Sequence, residues 1–307
     1  MKRYGAPQPF TCIAEMLAEN GYERFLLYGG DPGFDNIGGF FRNRGFNHLT
    51  SIGDFPRSAS LNKWGVPDHL VFEKANAMFS GAGAPFLGVV VTQSNHEPHT
   101  VPDSSFALFG PQVRDHRYLN SFYYSDWALR HFFELAREEE YFDSTIFVLV
   151  ADHSRNLASN DVTQSFHIPC LIYCPGRPDV GPRRVATTCS QVDVMPTLFG
   201  LLGGTWTHSS WGRDLLAEST SEGYAFVNHG DICGWVEDTL VYWGKVGSYE
   251  YFQQHGNKDI SDVPVTTATS GVFERMQKAA KSYLQVEVEM VHEGRTSAYA
   301  IAAKKEN

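Results

Sequence analysis

Apolar positions recur along the first two thirds of the chain in two alternating rhythms. Residues 10–20 place Ile13, Met16 and Leu17 on one helical face, and Gly21 stops the run. Residues 22–28 (YERFLLY) read as a strand closed by Gly29 and Gly30. The spacing predicts helices over 34–44, ended by Gly45, and over 68–79, where Leu70, Val71, Ala75 and Met78 face a core. Residues 86–92 (FLGVVVT) form a continuous apolar run between turn signals, the pattern of a strand buried on both faces of a parallel sheet. A long helix over 118–139 follows, with Phe122, Ala128, Leu129, Phe132, Phe133 and Leu135 as its apolar positions. Runs 145–151 (TIFVLVA) and 169–174 (PCLIYC) repeat the buried-strand signature, and 192–202 returns to a helix stopped by Gly203 and Gly204.

Strand alternating with helix across short loops predicts an α/β fold: a doubly wound, mostly parallel sheet with helices on both faces. The rhythm changes near residue 224. AFVNHGD, TLVYWGK and SYEYFQ read as short antiparallel strands, a small C-terminal β layer. A charged amphipathic helix over 270–291 and a polar tail close the chain. The expected division is 1–223 for the α/β part, 224–261 for the antiparallel layer, and 262–307 for the helix and tail.

Composition narrows the function classes. Lys plus Arg is 25 and Asp plus Glu is 35 among 307 residues, a net charge of −10. That balance argues against nucleic acid as the main partner, since phosphate binding needs a basic face. Aromatics at 14% exclude a disordered chain. The sequence has no run of about 18 apolar residues, and MKRYGAPQPF has no apolar stretch of a signal peptide. The five cysteines, Cys12, Cys170, Cys174, Cys189 and Cys233, follow no metal or disulfide spacing and are expected as buried or half-buried free thiols.

In open α/β sheets reactive groups collect beyond the carboxyl ends of the strands. Two polar, His-bearing segments fall there: Gln93-Ser94-Asn95-His96-Glu97-Pro98-His99 after FLGVVVT, and Asp152-His153-Ser154-Arg155-Asn156 after TIFVLVA. An Asp oxygen and a neutral imidazole nitrogen are normal zinc or manganese ligands. The competing reading gives Asp152 a turn-capping role and His153 a backbone carbonyl to satisfy. His96 alone fits a hydrogen-bonded loop histidine equally well. The loop Gly29-Gly30-Asp31-Pro32-Gly33 lacks a Walker lysine and GxGxxG spacing, so it reads as a turn. No GxSxG, HExxH or EF-hand pattern is present.

Seven segments in order resemble the sulfatase-like branch of the alkaline phosphatase superfamily, within it the lipoteichoic acid synthase and phosphoglycerol transferase group. They are GYERFLLYGGDPGFDN, KWGVPDHLVFEKA, TQSNHEPHTVP, YLNSFYYSDWALRHFF, TIFVLVADHSRN, FHIPCLIYCPG and SQVDVMPTLFGLLG. The resemblance implies transfer of glycerol phosphate from a phosphatidylglycerol-like lipid to a glycan or polymer acceptor. It implies one divalent metal, Mn²⁺ before Mg²⁺ or Zn²⁺, with Asp152 and His153 among its ligands. It implies that His96 contacts the phosphoryl group or leaving oxygen, and that Phe34, Asp35, Asn36 and His96 line the head-group site. The synthases carry Trp and Arg where this chain has Asp35 and Ile37.

The family's metal-binding Glu strand and nucleophilic threonine precede the GY…YGG segment, and only twenty residues precede it here. Thr11 does not stand in the nucleophile's context. The chain is therefore expected to be an N-terminally truncated catalytic domain, inactive alone, whose parent sits in the cell membrane with its catalytic domain outside the cytoplasm. The alternatives are a sulfatase or phosphoethanolamine transferase of the same superfamily, or a non-catalytic binding module that keeps the fold.

Overall fold

The computed structural model describes residues 11–154, 162–217, 223–245, 247–255, 260–294 and 296–297. Phe10, Arg155, Asn156 and the tail from residue 298 lie outside the described residues. The chain forms two compact units, Met1–Thr145 with Cys174–Pro178, and Ile146–Tyr173 with Asp179–Asn307.

The first unit runs α1 (Ile13–Ala18), β1 (Glu23–Tyr28), α2 (Ile37–Arg42), β2 (His48–Thr50), α3 (Asp68–Ser80), β3 (Phe86–Val91) and α4 (His116–Ala136). Its strands form a parallel sheet in the order β2-β1-β3. The central strand aligns Leu26 with Leu49 on one side and Val89 on the other. Phe25, Leu26, Leu27 and Tyr28 are all buried, as the FLLY run requires. Gly21, at φ +78°, ends α1 by donating its N–H to the Ala18 carbonyl.

Helix α3 buries Val71, Phe72, Ala75, Asn76 and Phe79, while Leu70 and Met78 are only half-buried. The aromatic rings take the deepest places because they remove more apolar area from water. Helix α4 departs further from its apolar pattern. Its inward row is Asn120, Tyr124, Ala128, Phe132 and Ala136, at a strict four-residue spacing, whereas Phe122 is exposed. Buried Asn120 is satisfied on both sides: it accepts from the Phe109 N–H at 2.8 Å and donates to the Phe109 carbonyl at 3.0 Å. Phe72 and Phe132 close the helix pair at 5.2 Å between ring centroids.

One helix and one strand expectation need correction. The helix expected over 34–44 is broken: a 3₁₀ turn, Phe34–Asn36, precedes α2, with Asp35 at φ 48° and Asn36 at φ 55°. Asp and Asn tolerate this left-handed backbone better than other non-glycine residues. Strand β3 is half-buried rather than buried on both faces. Exposed Gly88 leaves space that the Phe79 ring fills, since a Cβ there would lie 2.3 Å from Phe79 Cζ.

The second unit begins with β4 (Phe147–Val150), α5 (Val162–Phe166), β5 (Cys170–Tyr173) and α6 (Val194–Leu202). β4 and β5 pair antiparallel, with Val150 and Leu171 exposed. The expectation that both are fully buried is therefore corrected: among the described residues each has one pairing neighbour, and a two-stranded ribbon cannot bury two faces. Cys170 and Cys189 are likewise exposed, while Cys12 is half-buried and Cys174 and Cys233 are buried.

The antiparallel layer is a meander of β6 (Ala225–His229), β7 (Ile232–Glu237), β8 (Leu240–Lys245), β9 (Tyr249–His255) and β10 (Ile260–Asp262). Helix α7 (Ser270–His292) covers one face, placing Met276 and Ala280 against Cys233, Trp235, Tyr242 and Phe252. No helix among the described residues is long and apolar enough to cross a membrane.

Candidate active site

In the first unit three loops meet beyond the carboxyl ends of β1 and β3. The Gly29 carbonyl accepts the Val66 N–H at 3.1 Å. Gln93, buried at the end of β3, joins all three. With its amide oriented to satisfy both ends, it donates to the Trp64 carbonyl at 2.8 Å and accepts from the Gly30 N–H at 2.9 Å. Gly65 adopts φ +127°, and a Cβ there would lie 2.0 Å from the Gly29 carbonyl oxygen. Only glycine fits that crossing.

These loops carry Phe34, Trp64 and His96 into one aromatic cluster. The His96 imidazole lies flat on the Trp64 indole, with centroids 4.1 Å apart and planes at 19°. Phe34 meets the same indole edge-on at 5.4 Å. Trp64 Nε1 donates to the Glu97 carbonyl at 2.6 Å, and Lys63 Nζ stands 5.3 Å from the indole centroid. Phe34, Asp35, Asn36 and His96 are all exposed, a surface platform rather than a sealed pocket.

Below the platform sits Asp68, only 2% exposed. Its carboxylate accepts the N–H groups of Gln93 at 2.8 Å and Ser94 at 3.2 Å, and its own N–H donates to Ser94 Oγ at 3.2 Å. Burial pushes its pKa up, against the opposing pull of those hydrogen bonds and of His96. Next to it His69, whose pKa burial lowers, meets the buried Tyr124 hydroxyl at 2.7 Å.

In the second unit Asp152 and His153 stand just after β4. Their side chains approach each other, with His153 Nε2 3.7 Å from Asp152 Oδ2. The His153 N–H donates to Asp152 Oδ1 at 2.8 Å. His153 Nδ1 lies 2.8 Å from the Ser154 carbonyl, so it carries the ring proton and leaves the Nε2 lone pair available. Gln191 Nε2 donates to the carbonyls of Ala151 at 2.8 Å and Asp152 at 3.2 Å, which fixes the turn. Both side chains are largely exposed.

The donor types suit a divalent cation, and the tautomer is the one that metal-bound histidine needs. The number does not: no group of three or more His, Cys, Asp or Glu able to hold a metal occurs among the described residues. Asp152 and His153 offer two donors.

Sequence reasoning picked out His96, Phe34, Asp152 and His153, and named Gln93 within its segment, but gave no role to Trp64 or Asp68. Trp64 and Asp68 stood inside the quoted segment KWGVPDHLVFEKA, without a spacing rule to mark them. An Asp opening a helix ordinarily reads as a helix-terminus charge, not as a backbone clamp.

A parallel sheet whose carboxyl ends bear these loops, with a separate antiparallel layer, is the architecture of the alkaline phosphatase superfamily. The Sulfatase family model matches residues 3–204, and the chain belongs to that family. A solved protein of the alkaline phosphatase superfamily from Vibrio parahaemolyticus superposes with a TM-score of 0.83 at 27% identity, covering 96% of this chain and 72% of that one. The lipoteichoic acid synthase LtaP from Listeria monocytogenes shares the fold, with a TM-score of 0.76 at 16% identity over 92% of this chain and 75% of that one. In sequence, the lipoteichoic acid synthase-like YvgJ of Bacillus subtilis (strain 168) is 25% identical over 235 residues, 68% of this chain and 37% of that protein. Phosphoglycerol transferase I of Xanthomonas euvesicatoria pv. vesicatoria is 27% identical over 219 residues, 67% of this chain and 31% of that protein. The chain thus spans about a third of the length of the curated relatives it matches.

Proposed function

We propose that this chain carries the head-group-binding and metal-binding part of a phosphotransferase of the phosphoglycerol transferase and lipoteichoic acid synthase type. The transferred group would be glycerol phosphate, the donor a phosphatidylglycerol-like lipid, and the acceptor a glycan or polymer at the outer side of a cell membrane. The observation that carries the reading is the Asp152–His153 pair: two side chains turned toward each other with the imidazole Nε2 lone pair free.

Asp152 and His153 would hold a divalent ion, Mn²⁺ before Mg²⁺ or Zn²⁺. Such an ion lowers the pKa of an attacking hydroxyl and screens the phosphoryl oxygens. The protein's own residues do the rest. Phe34, half exposed, offers an apolar face to a glycerol backbone. His96 presents a ring nitrogen to protonate a departing alkoxide. Asp35 and Asn36 stand at the rim of that platform, where hydroxyls of a head group can be recognised. The division 1–223, 224–261 and 262–307 assigns this chemistry to the first segment.

With two donors in place metal binding is weak, so metal binding is the first test. Calorimetric titration with MnCl₂ should show saturable heat for the wild type and none for Asp152→Ala. Identical titrations for the two would contradict the assignment. On phosphatidylglycerol vesicles, any Mn²⁺-dependent release of glycerol phosphate should fall with His96→Ala. Sulfate release from an aryl sulfate without any glycerol phosphate would assign a sulfatase instead.

A further inference from the structure

Four histidines of the first unit have hydrogen-bonding or ionic side-chain partners. His48 meets Glu23, His69 meets Tyr124, His99 meets Ser121, and His131 meets Glu73. His96 differs. Neither of its ring nitrogens has a hydrogen-bond partner among the described residues, and the direct hold on its ring is stacking. An exposed imidazole held by nothing would lose its orientation to rotamer exchange within nanoseconds.

We propose that Trp64, on the loop leading into α3, and Asp68, the first residue of α3, are the positioning residues that fix the plane and the height of His96. This rests on the reading of His96 as the histidine of the site. Trp64 sets the plane. Its indole stacks on the imidazole at 19° and ties itself to the same loop through Nε1 and the Glu97 carbonyl, so ring and loop cannot shift independently. Stacking uses one face of an exposed ring and takes up neither nitrogen.

Asp68 sets the height. Its carboxylate grips two consecutive backbone N–H groups, of Gln93 and Ser94, directly ahead of the turn in which the His96 N–H donates to the Gln93 carbonyl at 3.0 Å. A carboxylate 2% exposed costs stability unless its hydrogen bonds repay the lost hydration. No lysine or arginine ion pair to Asp68 occurs among the described residues. The burial is explained by the loop it holds.

The test reads His96 directly, without turnover. Its ring protons, assigned by comparison with His96→Ala, should resonate upfield of a free imidazole because of the Trp64 ring current. Trp64→Leu should abolish that displacement with the signals of β1 unmoved, and Trp64→Phe should restore part of it. Asp68→Asn should move the Gln93 and Ser94 amide signals and reduce the His96 displacement. Asp68→Asn is paired with Ser94→Ala, which removes only the hydroxyl contact and should shift His96 less. An undisplaced His96 in the wild type, or a displacement that survives Trp64→Leu, overturns the proposal. Titration with sn-glycerol 3-phosphate supplies the second arm. If His96 responds in the wild type but equally in Trp64→Leu, positioning is overturned. If the ring-current pattern holds and the wild type does not respond, the clamp stands and the substrate reading falls.

Discussion

At Gly65 the chain has no room for one methyl group. A Cβ would lie 2.0 Å from the Gly29 carbonyl oxygen, and φ +127° is strained for any other residue. Gly65→Ala is therefore expected to lose about 3 kcal/mol or more, read as a drop in the thermal unfolding midpoint. The same substitution at Gly21 meets open space and strains only φ, so its cost should be about 1 kcal/mol. At this scale a carboxylate beside an imidazole at a strand's end is visible in the letters, and the structure sets the two side chains 3.7 Å apart. The sequence was not legible where the role depends on a fold-made contact. Nothing in the letters puts Trp64 under His96, thirty-two positions away. Nor do they say that Asp68 faces a backbone turn rather than water.

At the scale of elements, α3 and α4 bear a direct test. Phe72, 6% exposed, packs on Phe132, and Phe72→Ala should cost about 3–4 kcal/mol in denaturant unfolding. The layer of β6–β10 and α7 carries a pH-dependent contribution. Burial raises the Glu250 carboxyl, but hydrogen bonds from Lys281, Gln277 and Tyr242 and the Lys281 charge outweigh it and hold it below its ordinary 4.5. A depressed carboxyl stabilises the fold above its unfolded value, and that contribution is lost as pH falls through the folded one. The unfolding midpoint should thus fall more steeply below pH 4.5 in the wild type than in Glu250→Gln. Equal slopes would remove Glu250 from the account. Strands β1 and β3 and helices α3 and α6 were readable because each has one dominant rhythm. The region 34–44 was not, because its apolar spacing is helical while Asp35 and Asn36 turn the backbone left-handed. β4 misled for another reason: a short apolar run has the same letters in a sheet's centre and in a two-stranded ribbon.

Across the whole molecule, the order of the segments made the fold readable. No one segment was decisive, yet their sequence matched the superfamily that the structure displays. Charge acts at the same scale. At −10 the protein should pass through a DNA column at about 150 mM salt, and retention there would contradict the exclusion of nucleic acid. The central claim, a divalent ion held by Asp152 and His153, is tested most directly by paramagnetic Mn²⁺ in a backbone amide spectrum. At substoichiometric Mn²⁺ the His153 and Ser154 signals should broaden first, and Asp152→Asn should leave them sharp. Broadening that begins elsewhere, or that persists unchanged in Asp152→Asn, would contradict the account.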